Sequence, residues 1–437
     1  MKSYQKMNAA ELQAELAVLQ EAYDAFQARG LKLNMARGKP APEQLDLSHG
    51  LLTALSGEMP LADANGEDTR NYGVLRGIPE ARALMAELMG GLPPELLIIG
   101  NNSSLALMHD ALARAVIYGV AGCQPWQHRL TVDFLCPAPG YDRHFAITAA
   151  MGINNIPVRM TAEGPDMDVV ERLVSTNETI KGIWCVPKYS NPQGITYSDE
   201  VVRRFAALKP AAPDFRIYWD NAYAVHDLCP GAGDELLDLR RACEEAGNPD
   251  IWLMFASTSK ITLAGAGISA IAASATNLAE IEKQMALQTI GADKINQLRH
   301  VRWFESLGGG PGLGMAGIRR HMAELAELIA PKFAVVQETL CRELQGLEVA
   351  TWTEPRGGYF ISLEGLPNTA KRTVALAKAA GVALTEAGAT WPYGHDPRDR
   401  NIRIAPTYPS IDELGLASEL LTLCVRLAAA ESLLAAE

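Results

Sequence analysis

One lysine stands in a stretch that otherwise has the composition of a protein interior. Lys260 lies in "FASTSKITLAGAGIS", where an apolar run precedes it and a glycine-rich run follows it. Lysine is among the residues least often fully buried, so this position calls for a chemical reason. A lysine amine attacks a carbonyl when apolar surroundings or a neighbouring cation lower its pKa. Lys260 is therefore a candidate nucleophile, and the alternative is an ordinary surface lysine that follows a strand.

Polar and aromatic side chains follow four other apolar runs of the chain. In an open α/β sheet, ligands bind at the carboxyl ends of the strands. The residues that follow these runs are Asn101, Asn102, Ser103 and Ser104; Tyr141; Tyr189, Asn191, Gln193 and Gly194; and Asp220 and Tyr223. Each group has a simpler interpretation alone, with the serines as a helix N-cap, the aspartate as a turn residue and Tyr141 as a packed aromatic. Because all five groups share one topological position, we expect them to face one crevice.

Together these residue types suit an aldehyde cofactor that carries a phosphate and a pyridine ring. A lysine would bond the aldehyde, and a helix N-terminus with serine hydroxyls would hold the phosphate. A carboxylate at a neighbouring strand end would keep the pyridine nitrogen protonated, which makes the ring an electron sink, as in pyridoxal phosphate enzymes. An aromatic side chain would stack on the ring, and Asn and Tyr side chains would bond its phenolic oxygen.

The elements that position these residues alternate between apolar strands and helices. Strands are predicted at "ELLIIG", "RLTVDFLCP", "INNIPVRM", "IKGIWCVP", "FRIYWD", "DIWLMFAS" and "GISAIAAS". This alternation indicates an α/β fold with a mostly parallel sheet that helices cover on both faces. Beyond about residue 320 the pattern changes to long helices and a few strands. We predict a large cofactor-binding domain over residues 51–320 and a smaller α+β domain formed by residues 1–50 and 321–437.

Four motifs make the chain resemble a known enzyme family. They are Asn191-Pro-x-Gly194, Asp220-x-x-Tyr223, Ser257-x-Ser259-Lys260 and Asn401-x-Arg403. Their order and separations resemble those of the pyridoxal-phosphate-dependent aminotransferases of fold type I, over most of the chain from about Gly38 to Arg403. The stretches "LKLNMARGKP" and "RNYGVLRGIPEAR" further resemble a bacterial aspartate aminotransferase subgroup. The resemblance implies a large domain with a mostly parallel, seven-stranded sheet sandwiched by helices, and a homodimer that builds each site from both chains.

The resemblance also implies roles around the cofactor, pyridoxal 5′-phosphate. Lys260 would bond the cofactor aldehyde and then move the proton between the substrate Cα and the cofactor C4′. Asp220 would pair with the pyridinium nitrogen. Asn191 and Tyr223 would bond the phenolic oxygen, and Tyr141 would stack on the ring.

The same resemblance implies contacts to the cofactor phosphate and to the substrate. The phosphate would be bound by hydroxyl residues, namely Ser103, Ser104, Ser257 and, from the neighbouring subunit, Tyr72. Arg403 would hold the substrate α-carboxylate in a bidentate fork, which suits arginine better than lysine. Asn191 would contact the substrate as well, and Gly38 would let the backbone close over it.

The chain departs from the family pattern after the lysine. Many relatives carry an arginine seven or eight residues beyond it, paired to the phosphate, whereas here those positions are Gly267 and Ile268. Lys294 and Arg299, in "GADKINQLRH", are candidates for the missing charge. The other expectation is that dipole and hydroxyl contacts suffice.

A dicarboxylic substrate would need a second cation for its side chain. The candidates are Arg37, Lys39, Arg76, Arg302 and Arg356, and for each the alternative is a solvated surface charge. The subgroup resemblance favours transfer of the amino group from L-aspartate to 2-oxoglutarate through a ping-pong exchange of pyridoxal and pyridoxamine phosphate. Alanine, aromatic or 2-aminoadipate specificity stays open, as does a lyase or decarboxylase on the same fold.

The composition argues against several other classes of function. The chain has 437 residues and a net charge of −12, which disfavours binding to nucleic acid or to an anionic membrane. The first thirty residues are too short for the DNA-binding domain of an aminotransferase-like regulator. The glycines after Lys260 do not match the G-x-G-x-x-G spacing of nicotinamide enzymes.

Cysteine usage and hydropathy predict where the protein works. Seven dispersed cysteines without a Cys-x-x-Cys pair predict free thiols in a reducing cytosol and no metal site. No segment approaches the roughly 18 apolar residues of a membrane span, and the N-terminal stretch has an amphipathic helix pattern rather than that of a signal peptide. We therefore expect a cytoplasmic protein.

Overall fold

The computed structural model describes residues 2–435, and strands and helices alternate through most of that range. The strands are β1 (Leu33–Asn34), β2 (Leu97–Gly100), β3 (Asp133–Ala138), β4 (Asn154–Arg159), β5 (Ile180–Cys185), β6 (Arg216–Asp220), β7 (Trp252–Ser257), β8 (Ser269–Ala273), β9 (Ala350–Trp352), β10 (Ile361–Gly365), β11 (Val382–Ala383) and β12 (Asn401–Ile404). The α-helices are α1 (Ala9–Ala28), α2 (Pro42–Asp46), α3 (Pro79–Leu88), α4 (Ser104–Tyr118), α5 (Asp142–Ala150), α6 (Met167–Thr176), α7 (Asp199–Ala206), α8 (Leu239–Glu245), α9 (Ala275–Met285), α10 (Lys294–Gly308), α11 (Gly314–Leu344), α12 (Ala370–Ala379) and α13 (Ile411–Leu434).

Seven of the strands form one large sheet in the order β2-β8-β7-β6-β5-β3-β4. Strand β8 runs antiparallel to both of its neighbours, and the other pairs are parallel. Side chains of successive residues enter two different buried clusters, as Ile217 and Trp219 do on one face and Tyr218 on the other. Both faces are therefore covered, which explains the continuous apolar runs of the sequence. The predicted α/β class with a seven-stranded, mostly parallel sheet is confirmed.

Two smaller sheets involve the chain ends. Strands β12, β10 and β9 form an antiparallel sheet, and β1 pairs in parallel with β11. The β1–β11 pair joins the N-terminal segment to the C-terminal third of the chain, and the grouping of these segments in one domain stays a prediction. The division at residues 50 and 320 stays a prediction, and residue 320 falls inside α11, a continuous helix of 31 residues.

Two of the long helices begin where the sequence supplies a capping box. Asn8 with Glu11 and Ser410 with Glu413 form capping boxes at the starts of α1 and α13. All seven cysteines are free thiols, as expected from their spacing. Among residues 2–435, no helix is both long enough and apolar enough to cross a membrane.

Candidate active site

The carboxyl ends of β6 and β7 bring Lys260 and Tyr223 together. Strand β7 ends at Ser257, three residues before Lys260, and β6 ends at Asp220, three residues before Tyr223. The Nζ atom of Lys260 lies 4.8 Å from the centroid of the Tyr223 ring. Lys260 is half-buried, so its amine stands in a partly desolvated position beside an aromatic face.

Two buried side chains hold the backbone of Lys260. Its carbonyl oxygen accepts hydrogen bonds from His226 Nε2 at 3.3 Å and from the Tyr359 hydroxyl at 3.4 Å. Burial lowers the pKa of His226 to about 3, and the positive charge of Lys260 adds to this effect. His226 is therefore neutral at physiological pH and places no second cation beside the lysine.

Asp220 is a buried carboxylate with one oxygen free of any partner. Its Oδ2 atom lies 3.0 Å from Nε2 of His144, whereas Oδ1 is buried and has no hydrogen-bond partner among residues 2–435. The His144 ring stacks on Trp184 with centroids 4.3 Å apart, and Tyr141 meets it edge-on at 4.9 Å. A buried acceptor without a partner is costly, so Oδ1 calls for a donor such as a protonated ring nitrogen. The residues here fit the cofactor inferred from the sequence.

Arg403 donates hydrogen bonds to three polar side chains, one of which is Asn191. Its Nη1 donates to Asp142 Oδ1 at 3.0 Å and to Asn191 Oδ1 at 3.2 Å, and its Nε donates to Thr385 Oγ1 at 3.3 Å. The guanidinium also lies 5.0 Å from the centroid of the Phe360 ring. Arg403 is buried, so these contacts fix its direction.

Gly38 lies against the same aromatic ring. A Cβ atom added at this glycine would stand 2.4 Å from Cζ of Phe360, which is too close for any side chain unless the ring moves. Gly38 and Arg403 therefore both lie beside the Phe360 ring. That Gly38 lets the backbone close over a substrate stays a prediction.

Hydroxyl groups collect at the start of α4. Ser103 occupies the N-cap position, yet its side chain makes no capping hydrogen bond, and Ser104 is the first residue of the helix. Ser257 donates to Ser259 at 3.0 Å, and Ser259 donates to the carbonyl oxygen of Asn102 at 2.6 Å. The hydroxyls and the N-terminal N–H groups of α4 therefore share one place, where an anion binds favourably.

Packing explains why no arginine follows at position 267. A Cβ atom at Gly267 would lie 2.9 Å from Oγ1 of Thr258 and 3.2 Å from the backbone nitrogen of Ser259. The next residue, Ile268, is buried, and its N–H donates to that same Thr258 hydroxyl at 3.0 Å. Any side chain at position 267 would therefore crowd Thr258 and Ser259, and the side chain at position 268 lies in the core.

The two candidate replacements for this charge have different surroundings. Asn296 donates to the carbonyl oxygens of Ala266 and Gly267, and Arg299 Nη2 donates to Asn296 Oδ1 at 2.5 Å. Arg299 is thus connected to the loop after Lys260 through one side chain. Lys294 donates instead to the backbone oxygen of Tyr72 at 3.2 Å.

Tyr72 stands apart from the other site residues. Its side chain is 82% exposed, and no hydrogen bond or ring contact of the described residues connects it to Lys260 or to the serines. Its predicted contact with a neighbouring subunit's phosphate stays a prediction.

Ion pairing divides the five cations that could bind the side-chain carboxylate of a substrate into two groups. Three of them are paired with carboxylates elsewhere: Arg76 with Glu282, Arg302 with Glu305 and Arg356 with Asp234. Arg37 and Lys39 have no ion-pair partner within residues 2–435, and Lys39 lies 4.0 Å over the Tyr408 ring. Of the five, these two flank Gly38 and remain free to meet a ligand.

Several residues of this site are absent from the sequence-based set. They are Asp142, His144, His226, Tyr359 and Phe360. His144 follows Tyr141, the N-cap residue of α5, by three positions and so lies in the first turn of that helix, and this closeness to Tyr141 is the signal that could have identified it. The described residues contain no group of three or more His, Cys, Asp or Glu side chains that could hold a metal ion.

Comparisons with known proteins identify the family of the chain. The sequence profile of the family described as "Aspartate amino-transferase" matches residues 7–437. A protein of Mycolicibacterium smegmatis, whose name gives an aminotransferase activity and no substrate, is 52% identical over 437 residues, with 99% of each chain covered. The crystal structure of an aspartate transaminase from Corynebacterium glutamicum superposes with a TM-score of 0.94 at 44% identity, covering 98% of this chain and 99% of that one.

A more distant structure shares the fold. The α-aminoadipate aminotransferase of Thermus thermophilus, crystallised with N-(5′-phosphopyridoxyl)-L-leucine, gives a TM-score of 0.70 at 19% identity and covers 95% of each chain. The matched profile spans nearly the whole sequence. The chain therefore belongs to the aspartate aminotransferase family and is a transaminase with the fold of the pyridoxal-phosphate-dependent aminotransferases.

Proposed function

We propose that the protein binds pyridoxal 5′-phosphate and transfers the amino group of L-aspartate to 2-oxoglutarate. The observation that carries this proposal is the buried, unpartnered Oδ1 of Asp220 at the sheet edge where Lys260 stands over Tyr223. An amine, a ring-nitrogen acceptor and a carboxylate clamp within one crevice suit transamination of an α-amino acid. The family and the C. glutamicum transaminase support aspartate as the donor.

The cofactor would be held by groups from several strand ends. Lys260 would hold its aldehyde, Asp220 its ring nitrogen and Tyr141 its ring face. Asn191 and Tyr223 would hold its phenolic oxygen, and the start of α4 with its serine hydroxyls would hold its phosphate. When bound, the cofactor supplies an electron sink for the electrons of the substrate Cα–H bond.

Protein side chains set the protonation states around the reacting atoms. Burial raises the pKa of the Tyr223 hydroxyl, and the negative charge of Asp220 raises it further, so this hydroxyl keeps its proton and would be able to donate to the cofactor's phenolic oxygen. The Lys260 amine is the group placed to take the substrate Cα proton and return it. His144 holds Asp220 in position through Oδ2, which leaves Oδ1 for the cofactor.

Arg403 would orient the substrate through its α-carboxylate. Its guanidinium is buried, aimed by three polar contacts and supported by the Phe360 ring, so little freedom is lost when a carboxylate binds. The side-chain carboxylate of aspartate would meet Arg37 or Lys39, the two candidates that form no ion pair with any residue the structure describes. A homodimer would bring the exposed Tyr72 of one subunit to the phosphate of the other.

The cofactor part of the proposal is tested by spectroscopy. Purified protein incubated with pyridoxal 5′-phosphate should develop a pH-dependent visible absorption band that is lost in Lys260→Ala when no external amine is present. Lys378→Ala is the control, because this exposed lysine pairs with Glu386 outside the site and its loss should leave the band in place. Absence of any band in the wild-type protein would remove the basis of the proposal.

The substrate part is tested by a screen of amino donors with 2-oxoglutarate as acceptor. L-Aspartate should give the highest kcat/KM, and Arg37→Ala or Lys39→Ala should reduce activity with aspartate but not with alanine. Half-reactions separate the alternatives on the same fold. Aspartate alone should convert the cofactor to pyridoxamine phosphate, whereas release of alanine would indicate a β-decarboxylase.

A further inference from the structure

We infer that Asp142 competes with the substrate α-carboxylate for Arg403 and must give up its ion pair whenever a carboxylate binds in the fork. This inference rests on the proposed role of Arg403 as the substrate clamp. Asp142 thereby acts through Arg403 as a residue that sets the affinity for both amino acids and oxo acids. It is not needed to hold the cofactor.

The Arg403 guanidinium has too few free N–H groups to bind a carboxylate in a bidentate fork while it keeps all its present partners. The group carries five N–H bonds: one on Nε and two on each terminal nitrogen. Both hydrogens of Nη1 are used by Asp142 and Asn191, and that of Nε is used by Thr385. Only Nη2 has no partner among the described residues. A bidentate carboxylate takes one N–H from each of two nitrogens, so one of the three present partners must leave.

Exposure identifies Asp142 as the partner that leaves. The Asp142 side chain is 34% exposed, so water can solvate its carboxylate after the pair breaks. Asn191 is buried, and the Thr385 hydroxyl is fixed by donating to the carbonyl oxygen of Ala36 at 2.8 Å. Asp142 is also the first residue of α5, where the helix dipole stabilises a negative charge without Arg403.

The positive charge of Arg403 needs a counter-charge both before and after the substrate binds. The Arg403 side chain is only 8% exposed, and a buried cation without a counter-charge is strongly unfavourable. Asp142 supplies that counter-charge before the substrate arrives, and the substrate carboxylate supplies it afterwards. The exchange replaces one carboxylate by another of the same charge, so the guanidinium is compensated in both states. The cost is weaker binding, because each incoming carboxylate first displaces the one already there.

Substitution of Asp142 separates competition from support. Asp142→Asn keeps an oxygen that can accept from Nη1 and removes the charge that competes. The holoenzyme should then bind succinate, an unreactive dicarboxylate, about 5-fold more tightly than wild type, the factor expected for one partly exposed ion pair. Acetate should gain by a similar factor, because both ligands place a carboxylate on Arg403. KM for aspartate and for 2-oxoglutarate should fall together, with no increase in kcat.

Titration with succinate also provides the control and the outcome that would contradict the inference. Asp199→Asn removes an exposed carboxylate that pairs with Arg203 on α7 and should leave the Kd of succinate unchanged. A Kd that is unchanged or higher in Asp142→Asn overturns the inference, since Asp142 would then only support Arg403. If Asp142→Asn does not fold, Asp142→Ser is judged by the same criterion. Failure of wild-type protein to bind succinate would instead contradict the proposed role of Arg403.

Discussion

The Nε2 atom of His144 lies 3.0 Å from Oδ2 of Asp220, and the second, buried carboxylate oxygen of Asp220 bonds to no group in the described part of the chain. One oxygen is therefore held by the protein and the other is left for a ligand. The His144 ring is itself fixed by its stack on Trp184. This arrangement keeps the carboxylate in place before any ligand arrives, which is what preorganised electrostatic stabilisation requires.

Asp220→Asn should abolish most of the transaminase activity. The amide keeps the shape of the carboxylate but removes the charge that would hold a ring nitrogen protonated, so we expect kcat to fall by about 10²-fold or more. The measurement is steady-state transamination of L-aspartate with the cofactor at saturation. The control is Asp199→Asn, which changes an exposed carboxylate and should retain full activity. Asp214→Asn is less suitable, because Asp214 pairs with the buried Lys181. Wild-type kcat in Asp220→Asn would contradict the assigned role.

Arg403→Lys should weaken substrate binding and leave cofactor binding intact. Lysine keeps the charge but cannot form the two parallel hydrogen bonds of a guanidinium fork, so we expect KM for aspartate to rise about 10- to 100-fold. The visible band of the bound cofactor should be unchanged, which separates this effect from misfolding. Arg203→Lys, on the exposed face of α7, provides the matched control. An unchanged KM would show that the substrate carboxylate binds elsewhere.

Most of the fold could be predicted because its strands are buried on both faces. Runs such as "FRIYWD" and "DIWLMFAS" have no polar alternation, and they became β6 and β7 at the centre of the large sheet. The residues at the strand ends could be predicted for a second reason: the carboxyl ends of parallel strands lie at the same edge of the sheet. Lys260, Asp220 and Tyr223 followed from that rule.

Contacts between residues far apart in sequence could not be predicted. Asp142 and Arg403 are separated by 261 positions, and no local pattern indicates that they pair. The same holds for His144 with Asp220, and for Arg76, whose pairing with Glu282 withdraws it from the candidates for a second clamp. Periodicity indicates which face a residue occupies, whereas ion pairs depend on how whole elements pack together.

Gly267→Ala should destabilise the loop after Lys260. The added methyl group would lie 2.9 Å from Oγ1 of Thr258, the hydroxyl that accepts the hydrogen bond of Ile268. Overpacking of this kind costs about 1–3 kcal/mol, and it would displace the adjoining Ser259. Thermal unfolding and the Kd of pyridoxal 5′-phosphate measure the two effects.

Gly265→Ala in the same loop is the control for this substitution. A Cβ atom at Gly265 would meet nothing within 4 Å, so both the melting temperature and the cofactor Kd should match wild type. Equal behaviour of the two variants would mean that the loop has room at position 267. The absence of the family's arginine would then need another explanation.

Acid should destabilise the protein through its buried histidines. His300 is fully buried, its Nδ1 lies 2.8 Å from the carbonyl oxygen of Asn296, and its Nε2 lies 3.1 Å from the Thr262 hydroxyl. Burial lowers the pKa of His300 from 6.5 to about 4. Between these two values the unfolded chain binds a proton that the native state does not, so native stability is complete above pH 6.5 and decreases as the pH falls towards 4.

His300→Gln should therefore flatten the pH dependence of stability. One buried histidine contributes a slope of about 1.4 kcal/mol per pH unit within this window, and the variant should lose that part of the wild-type slope while being less stable at pH 7.5. Urea unfolding at pH 7.5, 6.0 and 4.5 gives the slopes, with exposed His395→Gln as the control that should follow wild type. If the free energy of unfolding of His300→Gln depends on pH as steeply as that of wild type, His300 does not resist protonation. His226, whose pKa is lowered to about 3, would then be the next residue to substitute.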